Sequence, residues 1–212
     1  NKKVVKIFLA ALDKLGFKTY WVTYPKNIKR SGHLFAEMRV GKGQNILLIG
    51  HLDTVFEPDH PFQKYTRKGD TAYGPGVSDM KAGNVSMIYI MKALDKIGVL
   101  HDLNLTLAFT GDEEKTGGPV SIVRKELVEA GKWANIGLGF EGAVGMNTGT
   151  IARRSSSSWV LTTTGIQGHS SQILKHELGY GAIFEAARIV NAFREEMVGA
   201  EHRSFKPGIF LG

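Results

Sequence analysis

The stretch that decides the fold is residues 45–54, which read Asn-Ile-Leu-Leu-Ile-Gly-His-Leu-Asp-Thr. Asn45 to Ile49 form an uninterrupted apolar run, typical of a strand that is covered on both faces of a sheet. His51 and Asp53 follow this run directly. A histidine at a strand end is often only structural, but a nearby carboxylate can accept the second ring N–H and fix the ring as metal binding requires. His51 is therefore a candidate metal ligand, and Asp53 is its candidate orienting partner.

Two further segments place carboxylates beside a predicted strand or helix. Asp79 stands in Gly76-Val77-Ser78-Asp79-Met80-Lys81, where it is either a metal ligand or the N-cap of the helix that follows. Glu141 follows the predicted strand 136–140 and, taken alone, is typical of a surface turn.

Glu113 and Glu114 form an adjacent pair in Gly111-Asp112-Glu113-Glu114-Lys115, directly after the predicted buried strand 103–110. Two neighbouring carboxylates repel each other unless a cation or a proton relieves the repulsion. One of them can bind a metal while the other faces a substrate. The alternative is a solvated acidic loop that caps the next helix.

The order of elements predicts an α/β fold with a largely parallel central sheet. We expect a catalytic domain over residues 1–150 and the beginning of a smaller α+β domain over residues 151–212, with a boundary near residues 147–154. Further predicted elements are helices at 4–15, 83–97, 121–130 and 179–198, strands at 17–24, 34–40 and 150–164, and a loop at 56–76.

Composition narrows the chemistry. The 212 residues contain no cysteine, so disulfides, thiolate ligands and a cysteine nucleophile are excluded, and any metal must be held by His, Asp and Glu. Such a ligand set suits Zn²⁺, Mn²⁺ or Co²⁺. The net charge of +7 is dispersed, so we predict no nucleic-acid partner. No apolar run is long enough for membrane insertion, and we favour a periplasmic or secreted location, with a cytoplasmic one as the alternative.

The candidate ligands share one expected position. The carboxyl ends of parallel strands meet at one edge of an α/β sheet, and ligands bind there. A glutamate beside a metal at this edge can deprotonate water and later protonate a leaving amine. The sequence therefore predicts metal-assisted amide hydrolysis.

At these segments the chain resembles the di-zinc exopeptidase family that includes glutamate carboxypeptidase, aminoacylase, carnosinase and succinyl-diaminopimelate desuccinylase. The resemblance covers about residues 34–212 and depends on Gly-His-Leu-Asp-Thr-Val at 50–55, Tyr-Gly-Pro-Gly-Val-Ser-Asp-Met-Lys at 73–81 and Gly-Asp-Glu-Glu-Lys at 111–115. It is strongest with glutamate carboxypeptidase-like members. It implies a peptide or N-acyl amino acid substrate from which a C-terminal amino acid is released.

The resemblance also implies individual roles. His51 and Glu141 would bind one zinc ion, Glu114 would bind a second, and Asp79 would bridge the two. Asp53 would orient His51. The peptide bond after Asp79 is often cis in such proteins, which is rare for a residue other than proline.

Two catalytic roles follow from the same resemblance. Glu113 would act as the general base. The segment Gly165-Ile166-Gln167-Gly168-His169-Ser170-Ser171 matches a smaller lid or dimerisation domain, in which His169 would stabilise the oxyanion across a homodimer.

Relatives are close to twice as long, and a last zinc-binding histidine has no counterpart here. We therefore expect the chain to lack the C-terminal remainder of the catalytic domain, to bind the second zinc poorly and to be weakly active or inactive alone. Two alternatives stay open. One is an N-acyl amino acid deacylase, desuccinylase or dipeptidase with the same metals, and the other is a non-catalytic binding protein that kept the fold.

Overall fold

The apolar run that starts at Asn45 forms one strand of a five-stranded sheet in the strand order β1-β2-β6-β3-β7. The structure is a computed structural model that describes residues 2–211, with side chains from Val4 onward. The elements are α1 Lys2–Lys14, β1 Lys18–Val22, β2 His33–Met38, β3 Asn45–His51, β4 Thr66–Lys68, β5 Thr71–Tyr73, α2 Ala82–Lys96, β6 Asn104–Thr110, α3 Val120–Val123, α4 Lys125–Trp133, β7 Ile136–Gly139 and α5 Ala182–Met197. No helix in this range is long and apolar enough to cross a bilayer.

The sheet is mixed. β3 pairs in parallel with both β6 and β7, whereas β2 runs antiparallel to β6 and to β1. Every strand except β2 therefore points in the same direction. The predicted α/β class is confirmed, and the parallel part of the sheet is the part that carries His51 at a strand end.

Helices cover both faces of this sheet. On one face Phe8 and Leu12 of α1 pack with Met87 of α2 against Phe109 and neighbouring residues of β6. The rings of Phe8 and Phe109 lie 5.1 Å apart. On the other face α4 packs Ala130 on Ala108 and adjacent sheet residues. All residues of β6 are buried, as expected for a strand whose apolar side chains alternate between two covered faces.

Three segments differ from the prediction. The loop expected at 56–76 contains the hairpin β4–β5, whose residues are all exposed, so its strands lack an apolar signal. The helix expected at 121–130 is divided at Arg124, whose guanidinium pairs with Asp112. The strands expected at 150–164 do not form among the described residues: this range contains no buried residue, so no apolar face holds it against a partner strand.

The chain divides into two compact units, Asn1–Thr148 and Gly149–Gly212. The first contains the five-stranded sheet and every candidate site residue except His169. The second contains a helical turn at His176–Leu178 and the amphipathic helix α5, in which Arg188 pairs with Glu185.

Candidate metal centre

His51 is the last residue of β3 and is 1% exposed. Its backbone is held on both sides by residues from the segment that starts α2. The N–H of His51 donates to Sδ of Met80 over 3.0 Å, and its carbonyl accepts a hydrogen bond from Nδ2 of Asn84 over 2.5 Å. The imidazole is therefore fixed at the carboxyl end of the parallel strands before any ligand binds.

The two ring nitrogens of His51 face different groups. Nδ1 lies 3.2 Å from the carbonyl oxygen of Asp53 and 3.3 Å from its Oδ1. Nε2 lies 2.9 Å from Oδ1 of Asp79 and 3.7 Å from Oε1 of Glu141. Asp53 thus occupies the orienting side of the ring, and the other two carboxylates occupy the side that a metal would share.

These carboxylates change the protonation of the ring. Burial alone disfavours the imidazolium, but the hydrogen bonds from His51 to Asp53 and Asp79 outweigh burial and raise its pKa to about 9. The pKa of Asp53 is lowered: burial opposes its ionisation, and the hydrogen bonds from His51 and from two backbone amides override that effect. The site is therefore strongly favourable for a cation.

Asp79 lies in the turn Val77–Lys81 that precedes α2, and the backbone of Asp79 and Met80 within this turn is not helical. The Asp79–Met80 peptide bond is cis, and Met80 is buried beneath it. Lys81 is the N-cap of α2, so the structure does not use Asp79 as the cap. Gly76 has φ +67°, a left-handed conformation that favours glycine, and a Cβ there would also crowd the side chains of Thr54 and Lys81.

Glu141 reaches the same point from the end of β7. The N–H of Phe140 donates to the carbonyl of Ile49 over 3.2 Å, which continues the pairing of β3 with β7 up to the site. Gly83 of α2 lies so close to Phe140 that a Cβ would overlap the Phe140 carbonyl oxygen. This contact brings α2 and the β7 end together, and ligand atoms of His51, Asp79 and Glu141 all lie within 4.8 Å of one another.

A second loop carries Glu113 and Glu114 to the site. The carboxylate of Asp53 accepts the backbone N–H of Glu113 at 3.1 Å and that of Glu114 at 3.0 Å. Burial and the negative charge of Asp79 raise the pKa of Glu114, as expected for carboxylates that share a site. The side chain of Glu113 is exposed. Asp53 therefore links the imidazole of His51 to both glutamates.

The loop that carries Glu113 and Glu114 is also held by a buried polar network. Asp112 is fully buried, pairs with the guanidinium of Arg124 and accepts the N–H of Gly117 at 3.1 Å. Nδ1 of the buried His33 accepts the N–H of Gly111 at 3.2 Å. Its Nε2 must then carry the proton, which it donates to the carbonyl of Val123 at 2.6 Å.

The network also includes the hydroxyl group of Tyr24. The Tyr24 oxygen lies 2.7 Å from Nε2 of His33, and the hydroxyl also hydrogen-bonds to Asp112. Burial lowers the pKa of His33, and burial together with Asp112 raises the pKa of Tyr24. Both groups are therefore neutral near pH 7.

His169 belongs to the second unit. Its Nδ1 lies 2.8 Å from Oγ of Ser171 and accepts the N–H of that residue at 3.2 Å. The ring is exposed. Its catalytic role stays a prediction.

Sequence reasoning missed the residues that hold the site without facing it. Asn84 and Met80 act on the backbone of His51, and Lys81 donates to the carbonyl of Pro75 at 2.6 Å. The one usable signal was Asn84, a polar residue on the otherwise apolar buried face of α2. Its Oδ1 has no hydrogen-bond partner among the described residues.

The donor set fits a divalent metal. One imidazole nitrogen and two carboxylates are ligands typical of zinc in catalytic sites, and a histidine whose other nitrogen faces a carboxylate is the usual arrangement around such an ion. The predicted ligands His51, Asp79 and Glu141 come together in the structure.

Comparisons with known proteins give a family match over most of the chain. Residues 47–209 match the profile of Peptidase family M20/M25/M40. Carboxypeptidase G2 of Pseudomonas sp. (strain RS-16) is 33% identical over 192 residues, covering 85% of this chain and 43% of that protein. A probable succinyl-diaminopimelate desuccinylase of Staphylococcus epidermidis is 30% identical over 165 residues, covering 74% of this chain and 38% of that protein. The chain thus spans less than half the length of these curated relatives.

A solved structure shows the same fold. The M20 family metallo-carboxypeptidase Sso-CP2 from Sulfolobus solfataricus superposes with a TM-score of 0.51 at 23% identity, covering 67% of this chain and 32% of that one. Together with the family match over most of the chain, this likeness supports one assignment. The chain belongs to Peptidase family M20/M25/M40, a family of metal-dependent hydrolases.

Proposed function

We propose that this chain contributes the metal centre of a zinc-dependent exopeptidase that hydrolyses an amide bond and releases a C-terminal amino acid. The observation that carries the proposal is the convergence of His51, Asp79 and Glu141 within 4.8 Å at the carboxyl ends of the parallel strands. This is the edge of an α/β sheet at which ligands bind.

Two zinc ions would be held in the complete enzyme. His51 and Glu141 would bind the first, Glu114 the second, and Asp79 would bridge them, with Co²⁺ or Mn²⁺ as possible substitutes. The raised pKa of Glu114 beside Asp79 supports this assignment, because two carboxylates brought together need a cation to stay ionised. When bound, zinc polarises the scissile carbonyl and makes water easier to deprotonate.

Glu113 would move the protons. Its backbone is held by Asp53 while its carboxylate remains exposed, so it can accept a proton from the attacking water and return it to the leaving amine. Asp53 would keep the His51 ring oriented throughout. His169 would stabilise the oxyanion from a lid and dimerisation domain that begins within residues 151–212, in a homodimer.

The substrate class is inferred from named relatives. Carboxypeptidase G2 gives the more similar of the two curated matches above, which favours release of a C-terminal residue. The desuccinylase match favours the second candidate, removal of an N-acyl group by the same centre, and a dipeptidase would use the same chemistry. A non-catalytic binding protein would have no need of Glu113 beside the ligands.

The test is an assay of the full-length, zinc-loaded protein with N-acetyl-Gly-Glu, N-succinyl-glutamate and Gly-Glu, measuring free glutamate. We expect the blocked dipeptide to be cleaved fastest, loss of activity with EDTA and recovery with Zn²⁺. Cleavage of N-succinyl-glutamate alone would instead establish the deacylase. Stoichiometric zinc binding by the full-length protein without any hydrolysis would instead establish the binding protein.

A further inference from the structure

A wide cleft of about 1380 Å³ lies beside the metal centre in the first unit. The segment 23–32, which joins β1 to β2, lines one part of it, and the segment 54–58 after β3 lines another. Asp53 and Gly111 also line the cleft, so it reaches the residues that hold the glutamate loop.

The cleft is continuous with the candidate centre. A smaller cavity of about 180 Å³ is lined by Asp79 and Glu114. Both cavities are lined by Thr54, Phe56 and Val77. A substrate with its scissile bond beside Asp79 can therefore extend past Thr54 into the cleft.

The charge of the lining is strongly unbalanced. Its carboxylates are Asp53 and Glu57, whereas its cations are Lys6, Lys26, Lys29, Arg30, Lys81 and Lys115. Asp53 already accepts two backbone amides and faces His51. Glu57 is shared between Arg30 at 3.4 Å and Lys115 at 3.9 Å. Several cations are left without a neutralising partner.

Lys26 and Lys29 are the clearest of these. Both are exposed, and no carboxylate lies within ion-pair distance of either among the side chains described from Val4 onward. Ile28 between them is buried, and its N–H donates to the carbonyl of Pro25 at 2.9 Å. The two ammonium groups are therefore carried by a turn that is fixed to the protein.

Aromatic rings accompany the charges. Trp21 is 37% exposed and Tyr65 is 64% exposed, and both line the cleft. Partly exposed aromatic rings are enriched at binding surfaces, where they supply apolar contact area for an organic group.

The size of the cleft indicates which part of the substrate it receives. Pockets for small organic ligands measure roughly 300–1000 Å³. A single released amino acid is far smaller than the cleft, whereas the acyl side of the scissile bond has no fixed length. The acyl side is therefore the part that needs such a volume.

We propose that this cleft binds the acyl portion of the substrate and selects acyl groups or peptides that carry carboxylates, through Lys26, Lys29 and Arg30. The orientation of the substrate in this inference rests on the proposed function. The chemical class of the acyl group is inferred from the charge of the cleft lining. Electrostatic attraction of this kind depends on salt, because the lysines are exposed.

The test is binding of two fluorescently labelled peptides, acetyl-Glu-Glu-Glu-amide and acetyl-Gln-Gln-Gln-amide, to the zinc-loaded protein by fluorescence anisotropy. The blocked C-terminus keeps binding separate from hydrolysis. The variant K26Q/K29Q removes the charges of Lys26 and Lys29. The variant K42Q/K96Q removes two exposed lysines that do not line the cleft. The two variants carry the same net charge.

We expect K26Q/K29Q to bind the glutamate peptide roughly threefold to tenfold more weakly, as loss of two exposed charge contacts implies. The glutamine peptide should bind both variants equally, and K42Q/K96Q should match the unaltered protein. Equal binding of the two peptides, or equal weakening by both double substitutions, would overturn the proposal.

Hydrolysis separates this inference from the proposed function. If acyl-glutamate cleavage is absent but K26Q/K29Q still weakens binding of the glutamate peptide alone, the cleft is an acidic-peptide site and the exopeptidase assignment fails. If cleavage proceeds and KM for N-acetyl-Glu-Glu and N-acetyl-Gln-Glu changes equally in K26Q/K29Q, the exopeptidase stands and the cleft inference fails.

Discussion

Oδ1 of Asp53 lies 3.3 Å from Nδ1 of His51, and the same carboxylate accepts the backbone N–H groups of Glu113 and Glu114. One side chain therefore sets the imidazole of β3 and the glutamate loop after β6 relative to each other. The distance between His51 at the end of β3 and the candidate base Glu113 after β6 therefore depends on the Asp53 carboxylate.

We expect Asp53→Asn to weaken zinc binding by roughly 10- to 100-fold, the usual effect of removing a partner that orients a metal-bound histidine. The amide offers one acceptor oxygen where the carboxylate offers two, so one backbone amide of the glutamate loop also loses its acceptor. Competition with a zinc-responsive dye measures the affinity. Asp70→Asn is the control, because Asp70 is fully exposed on the β4–β5 hairpin. Equal affinities in the two variants would contradict this role.

Gly83→Ala should impair metal binding although Gly83 touches no ligand atom. A Cβ there overlaps the carbonyl oxygen of Phe140, so α2 and the β7 end must separate and Glu141 must move away from Asp79. We expect a smaller zinc-induced rise in Tm than in the unaltered protein. Gly131→Ala is the matched control, since its Cβ meets open space in α4 and should stabilise by about 0.5–1 kcal/mol. An undiminished zinc response in Gly83→Ala would refute the contact.

Arg124→Met should lower the free energy of unfolding by about 3–5 kcal/mol, because it leaves the fully buried Asp112 without its cation. Urea denaturation measures this loss. Lys132→Met removes an exposed partner of Glu129 and should cost about 0–1 kcal/mol. Adding Asp112→Asn to Arg124→Met should recover part of the loss. If Arg124→Met and Lys132→Met lowered the free energy of unfolding by similar amounts, the Asp112–Arg124 pair would not hold the loop.

Stability should fall as pH decreases below about 6.5 because of His33. Burial lowers the pKa of His33 from 6.5 in the folded protein, so the unfolded chain binds a proton that the folded protein does not. This contribution is fully present above pH 6.5 and is lost as pH falls toward the folded pKa.

Urea denaturation at pH 7.5 and pH 5.5 tests the effect. His33→Gln lacks the titrating group, so its stability should fall less over this interval, by up to about 1.4 kcal/mol for each pH unit below 6.5. Identical pH slopes for the two proteins would show that His33 does not titrate as its burial requires.

The sequence predicted those parts of the fold that depend on long apolar runs. β3 and β6 are buried between two helical layers, and their composition alone indicates this. The hairpin β4–β5 could not be predicted in this way, because three-residue exposed strands have no apolar face. The division of the helix at Arg124 depends on a partner, Asp112, that lies twelve residues earlier in the chain.

The site was predictable to a similar degree. His51 ends β3 and Glu141 follows the parallel strand β7, so topology brings them to one edge, and Asp79 reaches that edge through the turn before α2. The sequence could not choose between ligand and N-cap for Asp79, because that choice depends on where α2 begins. Asn84 stands out as a polar residue on the buried face of α2, but its partner and that of Met80 were not predictable, since both contact main-chain atoms of His51.

The central claim is that His51, Asp79 and Glu141 hold a divalent metal. Anomalous diffraction at the zinc edge from crystals of the zinc-loaded protein tests it most directly. We predict a peak about 2.0–2.2 Å from Nε2 of His51 and from oxygens of Asp79 and Glu141. Zinc found only at other positions, or no peak between these three side chains at saturating zinc, would contradict the account.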